Sequence, residues 1–284
     1  MHHSPYRHLT VIPLAGGLGA EVLGIELVNV DDDVFSEIKR AFVEYGVIFF
    51  RDQQLKSRQF IDFANRFGKI NINRFFKAVD GYPQIAEVKK EPGHTKNIGG
   101  GWHTDHSYDQ IPALGSMLYA KEVPDSGGDT LFSSMYLAYD ALSEGMKRFL
   151  AGLSAKHSSR HVFGPEQYKG TNEFADRLGN AELATQDAYH PVVITHPLSG
   201  RKALYVNPGF TVGIDGWSAG ESAALLGYLF EHAAKAQFTC RFRWKENSMA
   251  FWDNRATWHY AVNDYLGKRR YMHRITIEGS AVGA

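Results

Sequence analysis

Two histidines and one aspartate are the residues of this 284-residue chain best suited to metal chemistry. His103 and Asp105 stand two positions apart in Trp102-His103-Thr104-Asp105, and an extended backbone sends such residues to the same side. The third ligand, His259, would have to come from a second strand far along the chain. Two imidazoles and one carboxylate cover one face of an ion and leave three positions open. Non-heme Fe(II) oxygenases use that arrangement.

Two arginines near the end of the chain form a second informative pattern. Arg270 follows His259 by eleven positions, and Arg274 follows Arg270 by four. On a strand, residues 270, 272 and 274 share a face, and two arginines facing into a barrel are costly unless anions pair with them. An outward, solvated face is the alternative. Met272 lies on the arginine face while other apolar residues lie opposite, which favours arginines that line a polar cavity.

These motifs together resemble those of the TauD/TfdA family of Fe(II)- and 2-oxoglutarate-dependent dioxygenases. The resemblance covers about residues 9–278 and includes the Gly-Gly-Asp-Thr turn that ends at Thr130. Further matching segments are Phe49-Phe50-Arg51-Asp52-Gln53, Phe63-Ala64-Asn65-Arg66-Phe67-Gly68, His190-Pro191-Val192-Val193 and His196-Pro197. Motifs in this order and spacing are specific for the family and much less specific for the substrate.

The resemblance implies a reaction and a role for each matching residue. The metal ligands would be His103, Asp105 and His259. Arg270 would grip the far carboxylate of 2-oxoglutarate as a bidentate fork, and the Thr130 hydroxyl would share that carboxylate. Fe(II), 2-oxoglutarate and O2 are the implied cofactors, with no catalytic residue beyond the iron site. The products would be succinate, CO2 and a hydroxylated small molecule, whose anionic group Arg274 would hold.

Four further positions bear on the substrate. Phe163 and Phe210 match aromatic positions that line the family's substrate pocket, although as sequence alone they could be ordinary core residues. Asn73 and Phe76 align with a His and a Tyr that contact the aminosulfonate in taurine-processing members, and Gly99 aligns with an Asn. The anion-binding arginine is kept while the amine-side contacts are lost. We therefore expect an alkyl sulfate, a sulfonate or an aryloxyalkanoate, with taurine dioxygenase proper as the alternative.

Two functions of other classes remain open at this stage. A zinc-dependent hydrolase could use the same three ligands, and it would need neither 2-oxoglutarate nor O2. Arg270 and Thr130 at family spacing argue against it. A non-catalytic barrel that binds a small molecule is the other alternative. An intact set of three ligands argues against it, because a binding module has no need of open metal positions.

Many short apolar segments predict a mainly β fold with decorating helices. A jelly-roll barrel fits this pattern, and the resemblance implies the double-stranded β-helix. We expect a single domain over residues 1–284. A segment around 77–101 has few strong signals besides Ile85 to Val88. It leads into the metal motif and predicts an active-site lid, with simple disorder as the alternative. A polar segment around 164–186 predicts a helical insertion. Helices are predicted at 34–45, from 57 onward, at 135–153 and at 217–236.

Composition limits the partners and the location. Lys plus Arg equals Asp plus Glu at 31 each, which gives no support for nucleic-acid binding through a basic face. No apolar run of about 18 residues exists, so no membrane contact is expected. The single cysteine, Cys240, and an N-terminus without the apolar core of a signal peptide fit a reducing cytoplasm. We expect a cytoplasmic homo-oligomer, a dimer or a tetramer, that acts on a small anionic molecule.

Overall fold

Strands dominate the computed structural model, which describes residues 6–168, 173–174 and 176–284. In the described residues the strands are β1 (Thr10–Ala15), β2 (Leu18–Leu23), β3 (Val47–Phe50), β4 (Ile70–Asn71), β5 (Ala78–Val79), β6 (Tyr82–Lys90), β7 (Gly115–Glu122), β8 (Thr130–Ser134), β9 (Ser154–Ser158), β10 (Asp187–Pro191), β11 (Val193–Thr195), β12 (Lys202–Leu204), β13 (Thr211–Ile214), β14 (Thr239–Phe242), β15 (Met249–Asp253), β16 (Thr257–Ala261) and β17 (Arg270–Ile277). The α-helices are α1 (Asp32–Tyr45), α2 (Ser57–Asn65), α3 (Met135–Asp140), α4 (Glu144–Leu150), α5 (Arg160–Phe163) and α6 (Ala219–Ala233). Short 3₁₀-helices span Leu27–Asn29, Pro165–Tyr168, Ala181–Leu183 and Ala236–Phe238. The predicted mainly β fold with decorating helices is confirmed.

Two sheets face each other and carry the site between them. The larger sheet has nine strands in the order β1-β2-β3-β15-β7-β17-β6-β5, with β4 also paired to β17. The smaller one has the order β14-β8-β16. Further short sheets are β10-β9-β13 and β11-β12. An apolar layer joins the two facing sheets through Leu118, Ala120, Phe132, Cys240, Phe242, Ala250, Trp252 and Met272.

Helices α1 and α2 pack against the outer side of the larger sheet. Capping residues fix the ends of α1, and both helices have an apolar face. The carboxylate of Asp31 accepts a hydrogen bond from the backbone of Val34 at 2.8 Å and so begins α1. The helix ends at Gly46, whose φ of 69° is the left-handed conformation that favours glycine. Ile38 and Phe42 of α1 and Phe60 of α2 then pack into the same buried cluster as strands of the sheet. This packing fixes the strands that hold the site.

The predicted lid around 77–101 is too wide. Residues 82–90 form β6, which pairs with β17 inside the larger sheet, so only the irregular residues 91–101 could act as a lid.

Of the predicted insertion at 164–186, residues 169–172 and 175 lie outside the described residues. The described part contains two 3₁₀-helices, and the helical insertion stays a prediction. None of the described helices combines the length and apolar character needed to cross a membrane. The location and the oligomeric state also stay predictions.

Candidate metal centre and binding cavity

The structure brings His103, Asp105 and His259 together. His103 and His259 form an isolated antiparallel bridge, with backbone hydrogen bonds of 3.1 and 2.8 Å, so their side chains lie side by side. The Nε2 atom of each imidazole lies 3.9 Å from an Asp105 carboxylate oxygen. Possible ligand atoms of the three side chains all lie within 4.8 Å of one another. No other such group of three occurs in the described part of the chain.

The metal motif does not lie in a regular strand. Only His103 forms a bridge, and a turn begins at Asp105 and passes through His106, whose φ is 59°. The ring of His103 is fixed by its neighbours instead. Its Nδ1 atom lies 2.7 Å from the carbonyl oxygen of Gly101, which places the proton on Nδ1 and leaves the Nε2 lone pair for a metal. A side chain at Gly209 would place its Cβ only 2.6 Å from the Cβ of His103.

The protonation states suit metal binding. Burial lowers the pKa of His103 and of His259, so both imidazoles are neutral at neutral pH. Burial alone would raise the pKa of the Asp105 carboxyl group, but neighbouring positive charge, that of Arg274 above all, outweighs burial and holds that pKa below its usual value. One ionised carboxylate and two neutral imidazoles are the forms in which these residues ligate a metal. The donor set therefore fits a divalent ion such as Fe(II).

Arg270 is a buried cation with two hydrogen-bond donors that no described residue satisfies. Its side chain is on the cavity wall, and the residue is 5% exposed. Among the described residues its Nε and Nη2 atoms find no hydrogen-bond partner, and burial lowers the pKa of its guanidinium. Thr130 lines the same cavity, and its oxygen accepts a hydrogen bond from Trp244 Nε1 at 2.9 Å, which leaves its own proton free to donate. Both residues thus offer donors to an anion.

Arg274 lies between the metal ligands and an aromatic wall. Its Nη1 atom is 3.5 Å from Oδ1 of Asp105, and its guanidinium lies 4.2 Å from the ring centre of Phe76. As predicted for one strand face, Arg270 and Arg274 line the same cavity from β17. The side of β17 that carries them is therefore inward.

The cavity has a volume of about 320 Å³ and a mainly apolar wall. Phe76, Phe163 and Phe210 all line it. Asn73 does not. Its side-chain oxygen accepts hydrogen bonds from the backbones of Phe75 at 2.9 Å and Phe76 at 3.0 Å. Asn73 therefore shapes the turn that presents Phe76, and its predicted place in the substrate pocket is corrected on this ground.

Sequence reasoning missed most of the apolar wall. Val88 and Leu118 line the cavity from β6 and β7, where they stand opposite Met272 and Arg274 of β17. Neighbours across paired strands share a face, so these residues could have been found only once the strand pairing was known. Ile98 and Val162, also on the wall, lie in irregular or short helical segments that carry no periodic signal.

Comparison with known proteins supports the same assignment. Residues 10–276 match the sequence model of the family described as "Taurine catabolism dioxygenase TauD, TfdA family". The chain is 35% identical to an alkylsulfatase of Acinetobacter baylyi, over 97% of this chain and 87% of that protein. It is 33% identical to an alpha-ketoglutarate-dependent sulfate ester dioxygenase of Pseudomonas putida, over 95% of this chain and 90% of that protein.

A solved structure agrees with the sequence comparison. The crystal structure of a taurine dioxygenase from Burkholderia xenovorans matches with a TM-score of 0.82 and 33% identity, over 96% of this chain and 90% of that one. The predicted double-stranded β-helix is thereby confirmed. Because the family match spans nearly the whole chain and the fold agrees with it, this protein belongs to the TauD/TfdA family of 2-oxoglutarate-dependent dioxygenases.

Proposed function

We propose that this protein is an Fe(II)- and 2-oxoglutarate-dependent dioxygenase that hydroxylates a small organic anion. One observation carries the proposal: a cavity holds three candidate metal ligands together with a buried arginine, Arg270, whose Nε and Nη2 atoms have no hydrogen-bond partner among the described residues. Buried guanidinium donors that lack acceptors are costly, and a bound carboxylate removes that cost. A zinc hydrolase gives no reason for this arginine, and a simple binding barrel gives no reason for the three metal ligands.

The residues divide the task among themselves. His103, Asp105 and His259 would hold Fe(II) on one face. When bound, the iron supplies oxygen activation coupled to the decarboxylation of 2-oxoglutarate to succinate and CO2. Arg270 and Thr130 bind the far carboxylate of 2-oxoglutarate and so fix its orientation. The apolar wall excludes water from the site. One atom of O2 enters succinate and the other enters the hydroxylated product.

Arg274 supports an anionic primary substrate. Its guanidinium lies in the cavity beside the metal ligands, and its Nε atom is buried without a hydrogen-bond partner in the described structure. The surrounding wall of Phe76, Phe163 and Phe210 suits an apolar body. We infer that the substrate is an alkyl sulfate, a sulfonate or an aryloxyalkanoate. If the hydroxylated carbon bears a heteroatom, the product collapses to a carbonyl compound and releases the leaving group.

Taurine fits the cavity less well. Phe76 is apolar, and Gly99 offers no side chain beside His103. Of the carboxylates, the described lining includes only Asp105, which is needed for the metal. An ammonium group would therefore lose water without gaining a partner. We expect taurine to be a poor substrate.

Succinate formation tests the proposal. The purified protein is incubated with 2-oxoglutarate, O2 and either Fe(II) or Zn(II), with a panel of alkyl sulfates, sulfonates, aryloxy acids and taurine. We expect succinate only with Fe(II), and most of it with an apolar-bodied anion. The variants His103→Ala, Asp105→Ala and His259→Ala should be inactive but folded. Substrate conversion with Zn(II) in the absence of 2-oxoglutarate would refute the proposal, and efficient taurine turnover would refute the substrate assignment.

A further inference from the structure

Two buried polar side chains, those of Ser116 and Asn254, form a chain of hydrogen bonds that ends at the carboxylate of Asp105. The hydroxyl of Ser116 donates to Oδ2 of Asp105 at 3.0 Å, and Nδ2 of Asn254 donates to the Ser116 oxygen at 3.1 Å. Ser116 is 0% exposed and Asn254 is 1% exposed. Ser116 lies on β7 in the middle of the larger sheet, and Asn254 lies in the turn between β15 and β16. Neither residue belongs to the three candidate metal ligands.

Proton positions give this chain of hydrogen bonds one direction. An ionised carboxylate has no proton to offer, so the hydroxyl proton of Ser116 must lie between Ser116 and Asp105. The Ser116 oxygen is then an acceptor toward Asn254, which must present its amino group. The reverse orientation of the Asn254 amide would place two acceptors against a hydroxyl that has one proton. The chain therefore runs from Asn254 through Ser116 to Asp105.

We propose that Ser116 and Asn254 are positioning residues for the metal, because they engage Oδ2 of Asp105 and leave Oδ1 as the oxygen offered to the ion. This inference rests on the proposed metal site. Oδ1 lies 3.9 Å from Nε2 of His103 and Oδ2 lies 3.9 Å from Nε2 of His259, so the imidazoles alone do not distinguish the two oxygens. The hydrogen bonds do, because Oδ2 accepts from Ser116 at 3.0 Å, whereas the donor to Oδ1, Arg274 Nη1, lies 3.5 Å away. Without the Ser116 hydroxyl, the carboxylate could turn about its side-chain bond and pair with Arg274 instead.

The backbone of Asn254 is fixed independently of its side chain. Its N–H donates to the carbonyl oxygen of Leu114 at 3.1 Å, and its carbonyl oxygen accepts a hydrogen bond from the Thr104 hydroxyl at 2.5 Å. Thr104 stands between two of the candidate ligands, so this contact also ties the metal motif to the β15–β16 turn. A substitution of the Asn254 side chain leaves these contacts in place. The effect of that substitution therefore reports on the hydrogen bond to Ser116.

Metal binding in the absence of turnover tests the inference. Wild type, Ser116→Ala, Asn254→Ala and the double variant are titrated with Co(II) under anaerobic conditions without 2-oxoglutarate, and the visible absorption of bound Co(II) is recorded. Loss of outer groups of this kind typically weakens metal affinity by roughly 10- to 100-fold. We expect such a loss and altered Co(II) bands for Ser116→Ala. Asn254→Ala should lose less, since the Ser116 hydroxyl can still reach Asp105.

A matched control separates positioning from packing. Ser133 is also 0% exposed, and its hydroxyl donates to the carbonyl oxygen of Ala233 at 2.6 Å, away from the ligands. Ser133→Ala should therefore bind Co(II) like wild type, with the same bands. Thermal unfolding of each apo variant checks that it is folded, and Asn254→Ala carries the test if Ser116→Ala does not fold.

The double variant decides whether the two residues act as one chain. If Asn254 works through Ser116, the double variant should bind Co(II) no more weakly than Ser116→Ala alone. If the losses of Co(II) affinity in the two single variants add up in the double variant, Asn254 does not act through Ser116. Wild-type affinity and bands in folded Ser116→Ala, or in folded Asn254→Ala when that variant carries the test, would overturn the positioning role. A wild-type protein that binds no Co(II) would refute the proposed metal site itself, and this inference with it.

Discussion

Replacement of Arg270 by leucine tests how the buried guanidinium is used. Arg270 is 5% exposed, and its Nε and Nη2 atoms have no partner in the described residues. A bidentate carboxylate would satisfy both donors. Loss of a hydrogen bond to a charged group costs about 1.5–3 kcal/mol. At about 1.4 kcal/mol for each factor of ten, the dissociation constant of 2-oxoglutarate should rise roughly 10- to 150-fold in Arg270→Leu.

The same substitution weakens ligand binding but should not destabilise the protein without ligand. A buried charge that lacks a partner opposes folding, so its removal should leave the free energy of unfolding unchanged or raise it. At a 2-oxoglutarate concentration one hundred times the wild-type dissociation constant, binding stabilises the wild type by about 2.7 kcal/mol. At that concentration the variant should gain only about 0.3–1.4 kcal/mol, for a 150- to 10-fold weaker site.

Thermal unfolding with and without 2-oxoglutarate measures both effects, in the presence of Mn(II) and without O2. Arg269→Leu is the matched control, because this neighbouring guanidinium pairs with Glu91 at 3.0 Å and with Glu122 on the outer side of the sheet. The control should keep the full stabilisation by 2-oxoglutarate. If Arg270→Leu kept it as well, or if its apo form lost several kcal/mol, the carboxylate-binding role would be refuted.

Three further predictions follow from the buried groups. Arg274→Ala should weaken binding of the primary substrate by roughly tenfold or more and leave the affinity for 2-oxoglutarate near that of the wild type. The ratio of succinate to hydroxylated product should rise above one. An unchanged ratio together with unchanged substrate affinity would remove Arg274 from the substrate site. Burial raises the pKa of the Cys240 thiol to about 12, so iodoacetamide at pH 8 should label the protein only after denaturation, whereas rapid labelling of the native protein would contradict the buried position. Burial and the nearby His190 lower the pKa of His157 to about 3, so the unfolded chain binds a proton that the native protein does not. The free energy of unfolding should therefore fall as pH drops from about 6.5 toward about 3, by up to about 1.4 kcal/mol per pH unit from this group, and His157→Gln should flatten that dependence, as measured by denaturant titration at several pH values.

The parts of the site that sequence could predict are those fixed by short spacing. Arg270 and Arg274 lie four apart on a single strand, and a period of two places them on one face whichever strands pair with it. The meeting of His103 with His259 is different. It depends on a bridge between segments far apart in the chain, and only the family resemblance supplied it. Local spacing therefore predicts the arginine pair, whereas the fold is needed to bring His103 and His259 together.

Two errors show what local spacing leaves out. Within strand β6 only Ile85 to Val88 gave a signal in the sequence, and the strand also contains Pro83 and two adjacent lysines. Pairing with β17 on one side and β5 on the other extends the strand over all nine residues. Asn73 matched a substrate-contacting position by alignment, but its side-chain oxygen bonds the backbone of its own turn, and Asn73 is not among the residues that line the cavity. An aligned position gives a place along the chain, whereas the direction of the side chain depends on its local hydrogen bonds.

The strand register explains why the cavity combines an ionic end with an apolar body. Both arginines come from β17, and the residues opposite its inward face are Val88 on β6 and Leu118 on β7. The two arginines and these two wall residues thus belong to different strands of one sheet. Under the proposed function, substitutions at Val88 or Leu118 change the size of the substrate body that fits and leave the proposed anion contact of Arg274 in place. A change of substrate within this class of anions therefore requires no change in the iron or 2-oxoglutarate sites.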